Sequence, residues 1–296
     1  MSRDMEMEQS PFLRLPLEIR LIIYDLLLRS TETISLPHGT NLSRLLSAAP
    51  GYHDYESAKA GSSATVAPTS MLKIRTEDPL NYEQRRAQHV RTRYMVRSDR
   101  FRARCMNTTY HLIGSPSIHA TILSANSRIH SEAAETLYST CTFDFDTHVE
   151  AIVPFFSDLT PFARSCVRSI RLVKRALPYE KEFDRAEWSS ALVYIAENMS
   201  IESLHLGVVA GKPGPQGWDV VPPYNQIDFQ FLKEMDGMEW VQDLLEIKTL
   251  ERLEVSAVVE HCPPPMSTAM ARYVKFSASI DGPFALYLQE QMVSCR

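Results

Sequence analysis

Residues 17–29 constrain the fold more than any other stretch, because they combine an uninterrupted helical pattern with apolar residues on two sides. Pro16 suits the first turn of a helix, and Glu18 suits the positive end of its dipole. At about 100° per residue, two apolar stripes form. The first contains Ile19, Ile22, Ile23, Leu26 and Leu27, and the second contains Leu17, Leu21 and Leu28 with Tyr24 beside them.

A helix on the surface of a globular protein needs only one apolar stripe. Two stripes therefore predict burial on both sides, which leaves two alternatives open. Either the helix is fully buried within its own fold, or one stripe faces the core and the other faces a partner.

The composition is that of a globular protein without a strong charge bias. The chain has 296 residues, a formal net charge of −5, 44% apolar residues and 23% charged residues. This charge argues against nucleic acid or an anionic membrane as a general partner.

We find no apolar run long enough to span a bilayer, and residues 1–10 are too acidic and polar for a secretory signal. The five cysteines (Cys105, Cys141, Cys166, Cys262 and Cys295) are scattered, which predicts reduced thiols and a cytoplasmic or nuclear location.

Composition changes twice before residue 110. Residues 30–70 are rich in Ser, Gly and Pro, which predicts a partly disordered insertion at about 30–70. Residues 85–104 carry eight arginines and one acidic residue. Arg91, Arg93 and Arg97 within this segment are candidates for binding an anionic partner, and the alternative is that the arginines are solvated or matched to acidic residues elsewhere.

A second helix and a strand follow. Ser115-Pro116 suggests an N-cap and first helical residue, and apolar residues continue at helical spacing from Ile118 to Leu137. Cys141, Phe143 and Phe145 then alternate with polar residues, which predicts a strand with one buried face. We expect this long helix to pack against residues 17–29.

The second half contains three similar six-residue segments, which begin at Val167, Ile201 and Leu250 and have apolar residues at positions one, four and six. Helical patterns around Trp188–Met199 and Trp240–Ile247 separate them, so we predict parallel strands joined by helices. Two closing helices are expected at residues 268–280 and 283–293. The glycine-rich loop at 211–223 contains Pro213 and Pro215, and it is interpreted as a connector rather than a phosphate loop.

Two blocks resemble a family of F-box-like proteins from filamentous fungi. The first is Phe12-Leu13-Arg14-Leu15-Pro16-x-Glu18-Ile19-Arg20-x-x-Ile23-Tyr24, and the second is Ile129-x-x-Glu132-Ala133 with Leu137-Tyr138 and Phe143-x-Phe145. The resemblance implies docking on a Skp-type adaptor of a cullin–RING ubiquitin ligase. It assigns that contact to Leu15, Pro16, Glu18, Ile19, Ile23, Tyr24 and Leu27.

These observations predict an α/β fold in two parts. Residues 11–146 would form an F-box-like helical unit, and residues 147–296 an irregular leucine-rich-repeat-like β/α layer with a small parallel sheet. No motif for catalysis, a metal or a cofactor is found. We therefore expect a non-enzymatic protein-interaction module with an unknown target. The alternatives are a structural α/β domain whose arginine-rich segment binds an anion such as nucleic acid and, with least support, an enzyme whose site is assembled only in space.

Overall fold

A six-stranded sheet organises the chain in the computed structural model, which describes residues 10–28, 71–77, 109–113, 119–177, 182–212, 222–248, 250–259, 262 and 270–293. The strands are β1 (Met71–Glu77), β2 (Thr109–Ile113), β3 (Thr142–Asp146), β4 (Ser169–Arg175), β5 (Ser203–Val209) and β6 (Arg252–Ala257). Their order is β2-β1-β3-β4-β5-β6. Only β2 is antiparallel to its neighbour, so the predicted α/β class with a small parallel sheet is confirmed.

Helices precede, connect and follow the strands. They are α1 (Leu17–Leu28), α2 (Ser127–Thr140), α3 (Ile152–Asp158), α4 (Pro161–Ser165), α5 (Glu182–Asn198), α6 (Phe229–Leu232), α7 (Trp240–Leu244), α8 (Ala271–Ser279) and α9 (Ala285–Met292). Short 3₁₀ turns lie at Pro11–Arg14, Ala120–Ser124, Val149–Ala151 and Gln226–Asp228. Within the described ranges, no helix is both long and apolar enough to cross a membrane.

The three repeated segments pair in register, as their spacing predicts. Two apolar rows cross β4, β5 and β6. The first row contains Ile170, Leu204 and Leu253, and the second, two residues further along each strand, contains Leu172, Leu206 and Val255. All nine residues at the repeated apolar positions are buried. Side chains alternate between the two faces of a strand, so this spacing places every repeat's apolar residues on the helix-covered face.

The expected one-sided burial of Cys141–Asp146 is wrong. Thr142 and Asp144 are buried as well as Phe143 and Phe145. The reason is that β3 lies between β1 and β4, and Arg75 from β1 covers its polar side by donating to the carbonyl and the carboxylate of Asp144.

The predicted continuous helix from Ile118 to Leu137 is also wrong, and its predicted N-cap at Ser115-Pro116 lies outside the described residues. Residues 120–124 form a 3₁₀ turn, and α2 begins only at Ser127 after Asn126, whose side chain accepts a hydrogen bond from the Ile129 N–H. An asparagine N-cap satisfies one of the free N–H groups of the first turn, which explains why the helix begins there. The two closing helices are present but shorter than expected, and a π turn at Ile280–Phe284 containing Pro283 joins them.

The expected boundary between residues 146 and 147 falls directly after β3, and the same sheet continues on both sides of it. The predicted insertion at about 30–70 lies wholly outside the described residues, and β1 begins directly after it at Met71. The arginine-rich segment at 85–104, with Arg91, Arg93 and Arg97, lies wholly outside them.

Candidate docking surface

The two halves of the sequence signature meet where α1 packs on α2. The Arg20 guanidinium donates two hydrogen bonds to the Glu132 carboxylate, at 2.7 and 2.8 Å, and the Tyr24 hydroxyl donates a third at 3.0 Å. Arg128, one turn earlier on α2, donates a fourth at 3.1 Å. The expected packing of the opening helix against the long helix is therefore confirmed, and it depends on a polar cluster that links the two blocks.

Arg20 also fixes the chain ahead of α1. Its Nη1 atom donates to the carbonyl oxygens of Leu15 at 2.6 Å and Leu13 at 3.3 Å. Phe12 packs its ring 5.8 Å from that of Tyr24. One buried guanidinium thus holds the turn before the helix, the helix itself and α2 together.

The electrostatics of this cluster follow from its hydrogen bonds. The hydrogen bond from Arg20 is the largest cause that lowers the pKa of Glu132 to about 2. The same hydrogen bond raises the pKa of Arg20, while burial is the main cause that raises the pKa of Tyr24. All three groups therefore keep one protonation state across the neutral range, which suits a structural contact.

The inward face of α1 is narrow. Arg20, Tyr24 and Leu28 are its only buried residues, and they recur every four residues on one line. At the end of the helix, the His119 N–H donates to the Leu27 carbonyl at 3.0 Å. The helix is consequently attached along one side and at both ends.

The opposite face of α1 is apolar and exposed. We call Leu15, Ile19, Ile22 and Leu26 the exposed seam; their exposed fractions are 36%, 44%, 57% and 69%. At about 100° per residue, Ile19, Ile22 and Leu26 point away from the line of Arg20, Tyr24 and Leu28, and Leu15 lies in the extended backbone just before the helix. Leu17 and Leu21 of the second stripe are exposed as well, at 46% and 40%. Large apolar side chains exposed side by side are the informative exception on a protein surface, so the described residues do not bury this helix fully.

The seven residues assigned by the resemblance divide between the two faces. Leu15, Pro16, Glu18 and Ile19 are exposed, and Ile23 and Leu27 are half-buried beside the exposed seam. Tyr24 is fully buried and is not available to a partner. The assignment also missed Ile22 and Leu26, the two most exposed apolar residues of the helix; the helical spacing of the first stripe already placed both of them next to Ile19.

The open face of the sheet carries a second group of polar residues. One row crosses five strands in register and alternates in charge except at its histidine: Lys73, Asp144, Arg171, His205 and Glu254. Cross-strand pairs of opposite charge stabilise a sheet modestly, and this role accounts for the row.

Ser203, His205 and Glu254 in this region resemble a nucleophile, a base and an orienting acid. The two ring nitrogens of His205 lie 3.5 Å from the Ser203 hydroxyl and 2.8 Å from the Glu254 carboxylate. A hydrolytic site also needs free N–H donors for an oxyanion, but the Ser203 N–H donates to the Arg168 carbonyl. All three side chains lie on an open sheet face, so the arrangement is better explained as part of the charge row.

The carboxylates of Asp144 and Asp146, which could have bound a cation, are paired with an arginine instead. The Arg75 guanidinium lies 3.3 Å from Asp144 and 3.7 Å from Asp146, where a cation would have to bind, and the described part of the chain contains no cluster of three or more metal-ligating side chains. A cleft between Tyr224 and Phe276 has a volume of about 20 Å³, which is room for one water molecule.

At the start of the 211–223 loop, a Cβ on Gly211 would lie 2.7 Å from the Val274 nitrogen, so this glycine permits a close approach of two backbones.

Comparison with known proteins gives a family but no activity. Neither the curated proteins nor the solved structures contain a match to the chain. One family model, described as a domain of unknown function (DUF7730), matches residues 5–221. This range includes α1, α2 and five of the six strands, and it covers more than half of the 296 residues. The chain therefore belongs to the DUF7730 family.

Proposed function

We propose that the chain is a protein-interaction module that docks through the exposed seam of α1, and that its partner is a Skp-type adaptor of a cullin–RING ubiquitin ligase. The observation that carries the docking proposal is the division of α1 into a fixed inner face and an exposed apolar outer face. The choice of adaptor rests on the resemblance of the first block to an F-box.

The division explains the signature position by position. Phe12, Arg20 and Tyr24 make the contacts that hold the helix. Leu15, Pro16, Glu18 and Ile19 are exposed. Pro16 and Glu18 suit the start of a helix, but packing against the described residues does not account for Leu15 and Ile19. Contact with another protein would account for them.

The energy available from the exposed seam sets a limit on the interaction. Burying a half-exposed aliphatic side chain contributes on the order of 1 kcal/mol. Four such side chains are comparable to the lower end of the cost of association, about 4–15 kcal/mol. The seam alone would give a weak complex, so the partner must also cover Ile23 and Leu27 or other surface nearby.

Binding of the full-length chain to a purified Skp-type adaptor tests the proposal, with affinity measured by calorimetry. We expect Ile22→Asp and Leu26→Asp each to weaken binding by at least about tenfold, as expected for central interface residues. Leu286→Asp is the matched control, because Leu286 is similarly exposed on α9, at 53%. Thermal unfolding of each variant shows whether the fold is retained.

Absence of binding by the folded wild-type chain would overturn the choice of adaptor. Equal losses for the seam variants and for Leu286→Asp would overturn the choice of surface. The alternative function, binding of an anion by Arg91, Arg93 and Arg97, concerns residues outside the described ranges, and no observation of the structure favours it.

A further inference from the structure

Glu187 of α5 is a buried carboxyl group for which the described residues supply no counter-charge. It is 3% exposed, and no hydrogen bond or ion pair to its carboxylate is found among the described residues. Burial, followed by the charges of Glu150 and Asp184, raises its pKa to about 7. Buried carboxyl groups are normally paired or hydrogen-bonded, so this exception points to a partner outside the described residues.

Two further carboxylates lie beside Glu187. Asp184 precedes it by one turn on the same face of α5 and is exposed. Glu150 is half-buried on the 3₁₀ turn Val149–Ala151, against which α5 packs. We call Glu150, Asp184 and Glu187 the acidic cluster. The oxygens of Glu187 are not among the unpaired side-chain atoms that are completely enclosed, so the cluster is open to the surface.

The helix dipole accounts for only one member of the acidic cluster. Asp184 lies in the first turn of α5, where a carboxylate is stabilised by the positive end of the helix. This effect falls off beyond the first turn, and Glu187 is the sixth residue of the helix. Helix formation therefore does not explain why a carboxylate is buried at position 187.

The charged groups nearby do not neutralise Glu187. Burial raises the pKa of Glu150, and the exposed Arg175 at the end of β4 opposes that effect, but Arg175 is not among the groups that act on Glu187. Four other charged groups on α5 and the elements around it have contacts of their own: Arg185 with Asp236 at 3.7 Å, Lys174 over the Trp188 ring at 4.8 Å, Asp243 with Ser189 at 3.3 Å and Asp158 with Tyr110 at 2.9 Å. The acidic cluster therefore offers its charge to a cation from elsewhere.

The geometry of the acidic cluster decides which cation fits. A metal ion needs oxygen ligands that converge to within about 2.6 Å, and the described residues contain no such group of three acidic side chains. A guanidinium carries several N–H donors in a rigid plane, so it can bridge carboxylates that lie further apart. It is also more weakly hydrated than an ammonium group and follows a long apolar stem, which suits a carboxylate below the surface.

We infer that the acidic cluster binds an arginine side chain of a partner protein, with Glu187 as the innermost acceptor of the guanidinium. This inference does not depend on docking through α1, because the cluster lies on α5 and on the turn after β3. The arginine would supply the counter-charge that Glu187 lacks. Only an ionised Glu187 can form this pair, so binding should strengthen as pH rises through about 7.

Three short glycine-rich peptides with one central side chain test the inference against the full-length chain. The central residue is arginine, lysine or citrulline, which has the shape of arginine without its charge. Carbon-13 NMR of the glutamate carboxyl groups, assigned with Glu187→Gln, follows each titration. We expect the arginine peptide to bind about tenfold more tightly than the citrulline peptide at pH 8, with the lysine peptide between them. Bound arginine should also lower the pKa of Glu187, whereas citrulline should leave it unchanged.

Two variants separate the acidic cluster from general attraction to an acidic chain. Glu187→Gln keeps the size of the side chain and removes its charge, so it should abolish the preference for arginine over citrulline. Glu197→Gln is the matched control, because Glu197 is exposed on the same helix, and it should leave the preference unchanged. Thermal unfolding of both variants shows whether the fold is retained.

Three outcomes would overturn the inference. The first is equal binding of the arginine and citrulline peptides by the folded wild-type chain. The second is an unchanged preference in folded Glu187→Gln. The third is binding of the arginine peptide only after Arg91, Arg93 and Arg97, which lie outside the described residues, are replaced by Ala. That result would show that the chain's own arginines fill the cluster and that no partner is required.

Discussion

Tyr24 and Glu132, 108 residues apart in the chain, are joined by a hydrogen bond of 3.0 Å from the tyrosine hydroxyl to the carboxylate. Each residue belongs to one of the two blocks of the sequence signature. Their contact shows that the two blocks pack together, and that the order of residue types in the first block is partly a requirement of helix packing.

Removal of the Tyr24 hydroxyl should destabilise the chain without leaving a large cavity. A hydrogen bond to a charged acceptor contributes about 1.5–3 kcal/mol, so Tyr24→Phe should lower the free energy of unfolding by that amount in urea titrations. Tyr138→Phe is the control, because the Tyr138 ring stacks on Phe143 and no hydrogen bond of its hydroxyl is found among the described residues. Equal effects of the two variants would contradict the assigned role of Tyr24.

The two faces of α1 should respond oppositely to truncation. Leu28 is buried, with 2% exposed, and Leu26 is 69% exposed. Leu28→Ala should cost about 2–5 kcal/mol of stability through the lost contacts and the cavity, whereas Leu26→Ala should change stability by less than about 0.5 kcal/mol. Thermal and urea unfolding measure both. A large loss for Leu26→Ala would show that its side chain is covered within the chain.

Acid should weaken the attachment of α1 to α2. Arg20 holds the pKa of Glu132 at about 2, below its usual value of 4.5. A carboxylate with a lowered pKa in the folded state stabilises the fold above its unfolded pKa, and this contribution is lost as pH falls from 4.5 toward 2. The stability difference between the wild type and Glu132→Gln should therefore shrink over that interval, which urea titrations at several pH values would show. A constant difference would contradict the pairing.

Glu187 should have the opposite dependence on pH. It is buried in α5, and burial, followed by the charges of Glu150 and Asp184, raises its pKa from 4.5 to about 7. The folded state therefore favours the protonated form, so stability falls as pH rises from 4.5 to 7. The stability of Glu187→Gln relative to the wild type should therefore rise by about 3 kcal/mol between pH 4.5 and 7 for a shift of this size. Glu197→Gln, an exposed change in the same helix, should show no such trend.

A methyl group at Gly211 should also be destabilising. Its Cβ would lie 2.7 Å from the Val274 nitrogen and 2.9 Å from the Tyr273 carbonyl carbon, and backbone atoms cannot move aside as a side chain can. Gly211→Ala should cost about 1–3 kcal/mol, as for overpacking of a core. Gly282→Ala is the control, since open space surrounds its Cβ position. Equal stabilities in urea titrations would show that the backbone of α8 can shift.

Patterns of periodicity predicted the regular part of the fold. The apolar positions of the segments at Val167, Ile201 and Leu250 identified three parallel strands and their buried face, because side-chain direction in a strand depends only on local spacing. The start of α2 was missed because Ser115-Pro116 and Asn126 are both good helix starts, and the choice between them depends on tertiary packing. The burial of Asp144 was missed because its partner Arg75 comes from a strand 69 residues earlier.

The docking surface was only half predictable for a related reason. The two stripes of α1 follow from its sequence, but the sequence does not show that Arg20 joins Tyr24 and Leu28 in the buried line while Leu17 and Leu21 stay exposed. The Arg20–Glu132 pair decides this orientation, and it joins residues 112 positions apart. A polar contact of this range has no periodic signal, so the surface could be assigned only once the two blocks were seen together.

The position of Arg20 has a mechanical consequence. Its guanidinium is bonded to the turn at Leu13 and Leu15 on one side and to Glu132 on the other. A force applied by a molecule bound to the outer side of α1 would reach Glu132 of α2 through both Arg20 and Tyr24. Arg20 alone would also carry that force to the turn ahead of the helix, so it couples the two ends of this load path.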